Sequence, residues 1–180
     1  MRNSLIILFA VGALSFSHAE TRIVKDAAGV GLDNGKVAVT FSNGKVFDIL
    51  SLKLSGEELV SKGRNQTPWS LTYKGAQGET PEIDPRYAVY EGCSEESTDT
   101  SKTLVFRWNQ RLRYDGNPYL VEMRVTVADD ADLIQWNLSA SVPDGWVVTA
   151  FKFPNIAVAA PDSARVITPG GWGNEYQLKK

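Results

Sequence analysis

The sequence has 180 residues, with 19 lysines and arginines against 21 aspartates and glutamates, one histidine and one cysteine. This length allows a single domain with a substantial core. The formal net charge of −2 gives no reason to expect nucleic acid or an anionic membrane surface as a partner. Because Cys93 stands alone, an intramolecular disulfide is excluded, and only an intermolecular one is open to it.

The N-terminal residues 1–19 are typical of a secretory signal peptide. Arg2 gives a positive start, an apolar run follows from Leu5 to Phe16, and Ser17-His18-Ala19 ends it with small residues at the −3 and −1 positions. The run is short for a bilayer span, and a buried N-terminal helix is the alternative. We predict a secreted or periplasmic protein cleaved after Ala19, with no membrane span.

The predicted mature chain, residues 20–180, contains no histidine. Its absence excludes a serine–histidine or cysteine–histidine catalytic pair and a histidine-liganded zinc site. The sequence also has no glycine-rich phosphate-binding loop. We therefore expect no cofactor.

Alternating apolar residues predict a series of strands in the first part of the mature chain. In chain order these are Thr21–Asp26, Lys36–Phe41, Lys45–Leu54, Trp69–Tyr73 and Tyr87–Tyr90. Asn43-Gly44 joins the second and third as a hairpin. Tyr87 and Val89 are expected to face inward, and the polar stretch Ser94–Lys102 predicts an exposed loop.

Three longer alternating stretches lie between Thr103 and Ala140. Every second residue is apolar, which places one side of each strand in a core and the other towards water. The inward positions are Leu104, Phe106 and Trp108, then Val121, Met123, Val125 and Val127, then Ile134, Trp136, Leu138 and Ala140. Turn residues separate the stretches, so we predict an antiparallel meander of three strands.

The last third adds further short strands. Trp146–Phe153 is partly apolar on both faces, which suits a strand inside a sandwich or one covered by a neighbour. Asn155–Ala160 and Ala164–Thr168 favour two more strands, and a glycine-rich tail follows at residues 169–180. With roughly nine or ten strands and no amphipathic helix, the chain is predicted to be all-β. We expect an antiparallel β-sandwich forming one domain over residues 20–180.

Candidate binding residues fall in two places. Asp129, Asp130 and Asp132 offer the oxygen ligands that calcium prefers, although a solvated hairpin tip explains them as well. Trp172 stands among Gly170, Gly171 and Gly173, which allow close backbone approach. A tryptophan face can stack on a sugar ring, and polar neighbours can bind its hydroxyls. The predicted sugar-binding residues are Trp172, Asn174, Glu175 and Tyr176. The alternative is a domain-boundary loop.

Several stretches together resemble the N-terminal β-sandwich domain of secreted glycoside-hydrolase-like proteins, of the galactose-mutarotase-like super-sandwich type. The stretches that carry this resemblance are Leu32–Phe41, Ile49–Leu52 with Ser55–Leu59, Val125–Trp136, and Phe153–Ile156 with Thr168–Gly173. The resemblance implies a domain that precedes and supports a catalytic barrel and carries no catalytic residue itself. Mutarotase activity needs a histidine, so the resemblance does not extend to that activity. Since such domains are commonly longer, we expect a fragment, or a gene split from its catalytic partner.

Together these observations predict a non-catalytic carbohydrate-associated module. Its expected partners are a polysaccharide or oligosaccharide and a C-terminal or separately encoded catalytic domain. A carboxylate-dependent glycosidase or lyase is one alternative, and it requires two carboxyls that face each other across a cleft. A structural or adhesive envelope protein is the other, and it requires an exposed edge strand or apolar patch.

Overall fold

The computed structural model describes residues 20–42, 47–61, 67–111, 118–142, 144–157, 159, 165–168 and 174–177, the last two ranges and residues 110, 111 and 118 by their backbone. Fourteen strands and no helix lie in these ranges, and no described helix could cross a membrane. All strand pairings are antiparallel. The all-β antiparallel fold is therefore confirmed, with more strands than predicted.

The strands follow one another in chain order. They are β1 Arg22–Lys25, β2 Gly29–Asp33, β3 Val37–Ser42, β4 Ile49–Leu54, β5 Glu57–Glu58, β6 Ser70–Lys74, β7 Glu82–Ile83, β8 Val89–Ser97, β9 Ser101–Arg111, β10 Pro118–Ala128, β11 Gln135–Ala140, β12 Val147–Lys152, β13 Arg165–Thr168 and β14 Asn174–Gln177. Twelve of them form three sheets with the orders β1-β2-β3-β4-β5, β11-β10-β9-β8 and β12-β6-β7. β13 and β14 form a separate hairpin.

The three strands of the predicted meander are β9, β10 and β11, and β8 extends them to a four-stranded sheet. Trp108 pairs with Val121, and Val125 lies between Leu104 on one side and Trp136 on the other. The inward residues of β9 and β10 are buried as expected, whereas those of β11 are only half-buried. The difference arises because β11 is the last strand of its sheet.

Aromatic side chains hold the sheets together. Phe41 of β3 packs on Phe106 of β9 with ring centroids 4.7 Å apart, which joins the five-stranded sheet to the four-stranded one. Trp69, next to β6, packs on Trp108 at 5.3 Å and joins the three-stranded sheet to the same face. Phe47 contacts both Phe106 and Trp108. The four-stranded sheet is thus one layer of a sandwich, and the other two sheets lie against it.

Asn34 connects two turns that are far apart in the sequence. Its amide group donates to the carbonyls of Ala128 and Ala131 at 2.9 and 2.8 Å. Its Oδ1 accepts from the backbone amides of Lys36 and Val37 at 3.0 and 2.9 Å. The side chain is buried, and these four bonds use its full capacity. The β2–β3 turn is therefore locked to the β10–β11 turn.

The structure corrects three predictions. Ser94–Lys102 is not a loop, because β8 runs on to Ser97 and β9 starts at Ser101. Tyr87 and Val89 are 65% and 67% exposed instead of inward, since Tyr90 is the residue that packs on the core. The described residues between 155 and 159 form no strand. β2, β5, β7 and β14 were not predicted as strands.

Replacing Phe106 with alanine should lower the free energy of unfolding by about 4 kcal/mol, because it opens a cavity where two sheets meet. Urea denaturation measures this change. Tyr87→Ala is the control, since the Tyr87 ring is 65% exposed, and it should stay within about 0.5 kcal/mol of the parent. Equal losses for the two variants would contradict the assignment of the core.

Asn34→Ala should cost about 3 kcal/mol of stability, because it leaves two carbonyls and two amides of the joined turns without their partner. Thermal and urea denaturation together measure it. The matched amide control is Asn137→Ala on the exposed face of β11, which should be nearly neutral. A loss below about 1 kcal/mol for Asn34→Ala would show that the two turns do not depend on this side chain.

Candidate functional site

The predicted sugar-binding residues are described only in part. Trp172 lies outside the described residues. Asn174, Glu175 and Tyr176 belong to β14, where their register partners on β13 are Thr168, Ile167 and Val166. The sugar-binding prediction for this tail therefore stays a prediction.

The turn with the calcium candidates has a visible structural role. Asp129 Oδ1 accepts a hydrogen bond from the backbone amide of Thr21 at 2.7 Å, and the carbonyl of Asp130 accepts one from Lys36 Nζ at 2.6 Å. Asp130 has a φ of 58°, in the left-handed region that aspartate tolerates in turns. In the part of the chain that the structure describes, no three His, Cys, Asp or Glu side chains are grouped to hold a metal. Calcium binding by Asp129, Asp130 and Asp132 stays a prediction.

Two other acids act as local acceptors. Burial raises the pKa of Glu58, but hydrogen bonds from Ser51 and from the amides of Leu52 and Val60 outweigh it, so the pKa is lowered overall. Hydrogen bonds from Ser70 and Lys152, with the positive charge of that lysine, lower the pKa of Glu82. A glycosidase acid needs a raised pKa, so neither carboxyl has that property.

Asp84 is a buried acid that lies between β7 and β8. Its carboxylate accepts from Nε and Nη2 of Arg86, and from the Arg86 amide at 2.8 Å. The hydrogen bond and the charge of Asp84 raise the pKa of Arg86. This bidentate pair holds the turn between β7 and β8 in place.

The outer face of the four-stranded sheet carries a chain of ion pairs. Glu122 accepts from Arg107 Nε at 2.9 Å and from Arg124 Nη1 at 3.2 Å. Arg124 also binds Glu96 on the edge strand β8. These residues alternate in sign across three neighbouring strands, so they favour the observed register.

Two tyrosines lie buried between the sheets near β12. The rings of Tyr73 and Tyr119 are 5.4 Å apart, and within the described residues neither hydroxyl has a hydrogen-bond partner. Burial raises the pKa of Tyr73 to about 12 and also raises that of Tyr119. Both therefore remain protonated at neutral pH and are unsuited to act as a base.

An apolar groove of about 270 Å³ lies beside β11. Leu138 and Ala140 of β11 form one wall, and Val148 and Phe151 of β12 form the other. Phe151 is 70% exposed, and all six residues of β12 are exposed. The covering neighbour expected for this strand is therefore not among the described residues.

A second apolar groove, of about 220 Å³, lies at the other half of β11. Ile134 and Trp136 face Leu52 and Leu54 of β4 across it. β11 contributes to a wall of each groove. We call β11 and the two grooves together the open side of the sandwich. The alternating pattern predicted which β11 residues face inward, but not that the sandwich stays open above them.

A search against protein-family models found no match. Among curated proteins, the chain is similar to one from Bacteroides thetaiotaomicron described as "Putative glycoside hydrolase", with 37% identity over 149 residues. The matched part is 82% of this chain and 22% of that protein, so the chain spans about a fifth of the relative's length. A likeness to glycoside-hydrolase-like proteins is thus supported, whereas the galactose-mutarotase-like type stays a prediction.

Cys93 lies in β8 and packs partly against the core. Burial raises the pKa of its thiol to about 11, and the negative charge of Glu95 adds to the effect. Of these two causes, burial is the larger. A largely protonated thiol is a weak nucleophile.

Iodoacetamide should accordingly alkylate Cys93 about a hundredfold more slowly at pH 8 than an unperturbed thiol, because two pKa units reduce the thiolate fraction by that factor. The rate should rise about tenfold per pH unit up to pH 10. In urea, where burial is lost, it should reach that of a free thiol. A native rate equal to the urea rate would contradict the assigned environment.

Proposed function

We propose that this chain is a non-catalytic β-sandwich module of a secreted or periplasmic glycan-processing system. The observation that carries the proposal is the similarity to the Bacteroides protein, which includes most of this chain but a small share of that protein. A module that aligns with about a fifth of a longer protein is suited to an accessory role, with catalysis performed elsewhere.

The described acids support a non-catalytic role. Asp84 is bound by Arg86, Glu122 by two arginines, and Glu58 by two backbone amides. Each of these carboxylates has a structural function that explains its position. A glycosidase instead needs one carboxyl kept protonated and a second placed across the sugar from it.

For the carbohydrate partner we propose the tail that contains Trp172, Asn174, Glu175 and Tyr176. The support is the residue chemistry: an aromatic residue next to glycines, followed by an amide, a carboxylate and a phenol. The polar outer face of the four-stranded sheet lacks aromatic residues at its exposed positions on β11, which makes it less suited to stacking on a sugar ring.

A structural or adhesive protein is the second candidate, and one observation favours it. That alternative requires an exposed edge strand or an apolar patch, and the open side of the sandwich has features of both. Self-association of the purified chain would distinguish it from an accessory module that awaits a different partner.

Tryptophan fluorescence of residues 20–180, titrated with a panel of plant and algal polysaccharides, tests the sugar-binding role. We expect saturable quenching that weakens at least about tenfold in Trp172→Ala, equivalent to about 1.4 kcal/mol of binding free energy. Tyr87→Ala removes a different exposed aromatic ring and should bind like the parent.

Release of reducing sugar, measured in the same mixtures, tests the non-catalytic role. We expect none above the level of a heat-denatured sample. Turnover by the purified chain would contradict the proposal outright. Quenching that is equal in the parent and in Trp172→Ala would place the sugar site outside the tail.

A further inference from the structure

The two edges of the four-stranded sheet are built differently. The edge strand β8 contains Glu91, Glu95 and Glu96, and its pairing with β9 is interrupted by a bulge at Gly92. Lys25 of the five-stranded sheet also binds Glu95. Charges and bulges are the devices by which natural edge strands avoid pairing with other chains. This edge is protected against strand addition.

β11, at the opposite edge, has none of these devices. Its sequence, Gln-Trp-Asn-Leu-Ser-Ala, has no charge and no proline, and its register with β10 is continuous from Gln135 to Ala140. Among the described residues β10 is its one partner strand. Its outer edge therefore presents backbone donors and acceptors over about 20 Å, a template for a further strand.

The grooves lie where the side chains of such a strand would enter. One groove adjoins Ile134 and Trp136, and the other adjoins Leu138 and Ala140, so both halves of β11 have an apolar space beside their inward face. In an added strand, every second residue would point into this space. A dry cavity of about 150 Å³ can hold a benzene ring, so volumes of about 220 and 270 Å³ admit large apolar side chains.

The rims of the grooves carry apolar side chains that remain in water. Phe151 is 70% exposed, Leu133 62% and Val148 37%. Contiguous exposed apolar surface marks an interaction site, whereas single exposed residues do not. Here the exposed residues flank one bare strand, so a single added element could cover them.

We propose that β11 is a docking edge for an uncharged β-strand with alternating apolar residues, supplied by a polypeptide that corresponds to the unmatched part of the Bacteroides relative. That relative shares 37% identity with this chain over 149 residues, which are 22% of its length. More than three quarters of the relative is thus available to cover the same surface. The strand continues the sheet and fills both grooves, a mode known as β-augmentation.

In this proposal β11 is the surface through which the accessory module contacts its partner. The proposal rests on the proposed function only for the choice of that partner. No sugar takes part in the docking. Failure of the docking test would therefore leave sugar binding by the tail untouched, and failure of the sugar titration would leave the docking edge untouched.

The test uses the full chain, co-expressed with the Bacteroides relative from which the 149 matched residues have been removed. Size-exclusion chromatography with light scattering reads out the complex, and hydrogen exchange reads out the β11 and β12 amides. We expect a one-to-one complex in which β11 amides exchange at least about tenfold more slowly than in the chain alone. The relative's own matched segment, added as a separate chain, is the positive control.

Two variants test the grooves one at a time. Phe151→Glu and Leu133→Glu place a charge at the rim of each groove and should weaken docking at least about tenfold, as expected for an apolar anchor. Both positions are largely exposed, so the variants should fold like the parent. Tyr87→Glu, at an exposed aromatic residue that lines neither groove, should dock normally.

Four results would overturn the proposal. The first is docking by the relative's own segment but not by this chain. The second is a complex in which the β11 amides exchange as fast as in the chain alone and both rim variants bind with the affinity of the parent. The third is slow exchange of β11 in a homodimer of this chain that the two rim variants dissociate, because the occupant would then be a second copy. Failure of the positive control would also count against the proposal, since the unmatched part of the relative would not cover this surface.

Discussion

The aromatic contacts on the inner face of the four-stranded sheet are the constraint on which the fold depends. Phe106 and Trp108 lie on one strand, two residues apart, and each is buried against a ring from a different sheet. Burial of rings of this size is among the largest single stabilising terms in a small domain. Both neighbouring sheets are therefore attached to β9 through these contacts. Asn34 adds a polar lock at the end of the same sheet.

Strands whose pattern is set by the core could be predicted from the sequence. β9, β10 and β11 alternate because one face packs and the other is solvated, and their pairing follows from the turns between them. β2 could not be predicted in this way, because Gly29 and Gly31 carry no side chain to alternate. A Cβ at either position would collide with the backbone of β3, so these glycines are needed for the close approach of the two strands.

Other features depend on contacts between distant segments. Val105 alternates onto the outer face, yet it is fully buried, and its register neighbours are Ser94 and Arg124. The ion pairs across β8, β9 and β10 could be identified only once the register of these strands was known. The open side could not be predicted for the same reason. The sequence showed that β12 is apolar on both faces, but it could not show which face a neighbour covers. The tail residues around Trp172 were proposed from residue chemistry alone.

The two edges of the four-stranded sheet differ, which gives the sandwich a closed side and an open side. On the closed side, charge and a bulge end the sheet at β8. On the open side, the sheet ends at an uncharged strand between two apolar grooves. A module that supports a larger protein needs such a surface, whereas an independent enzyme of this size would need a polar cleft with convergent groups. The similarity to a fifth of a longer protein agrees with the first description.

Residue-resolved hydrogen exchange of the isolated chain, followed by NMR, tests this asymmetry most directly. In an antiparallel edge strand, successive amides point alternately to the partner strand and away from it. We predict that every second amide of β11 is protected by β10, while those between them exchange at nearly the rate of exposed amides. Uniform strong protection along Gln135–Ala140 in the monomeric chain would mean that the edge is already covered, and it would contradict the open side of the sandwich.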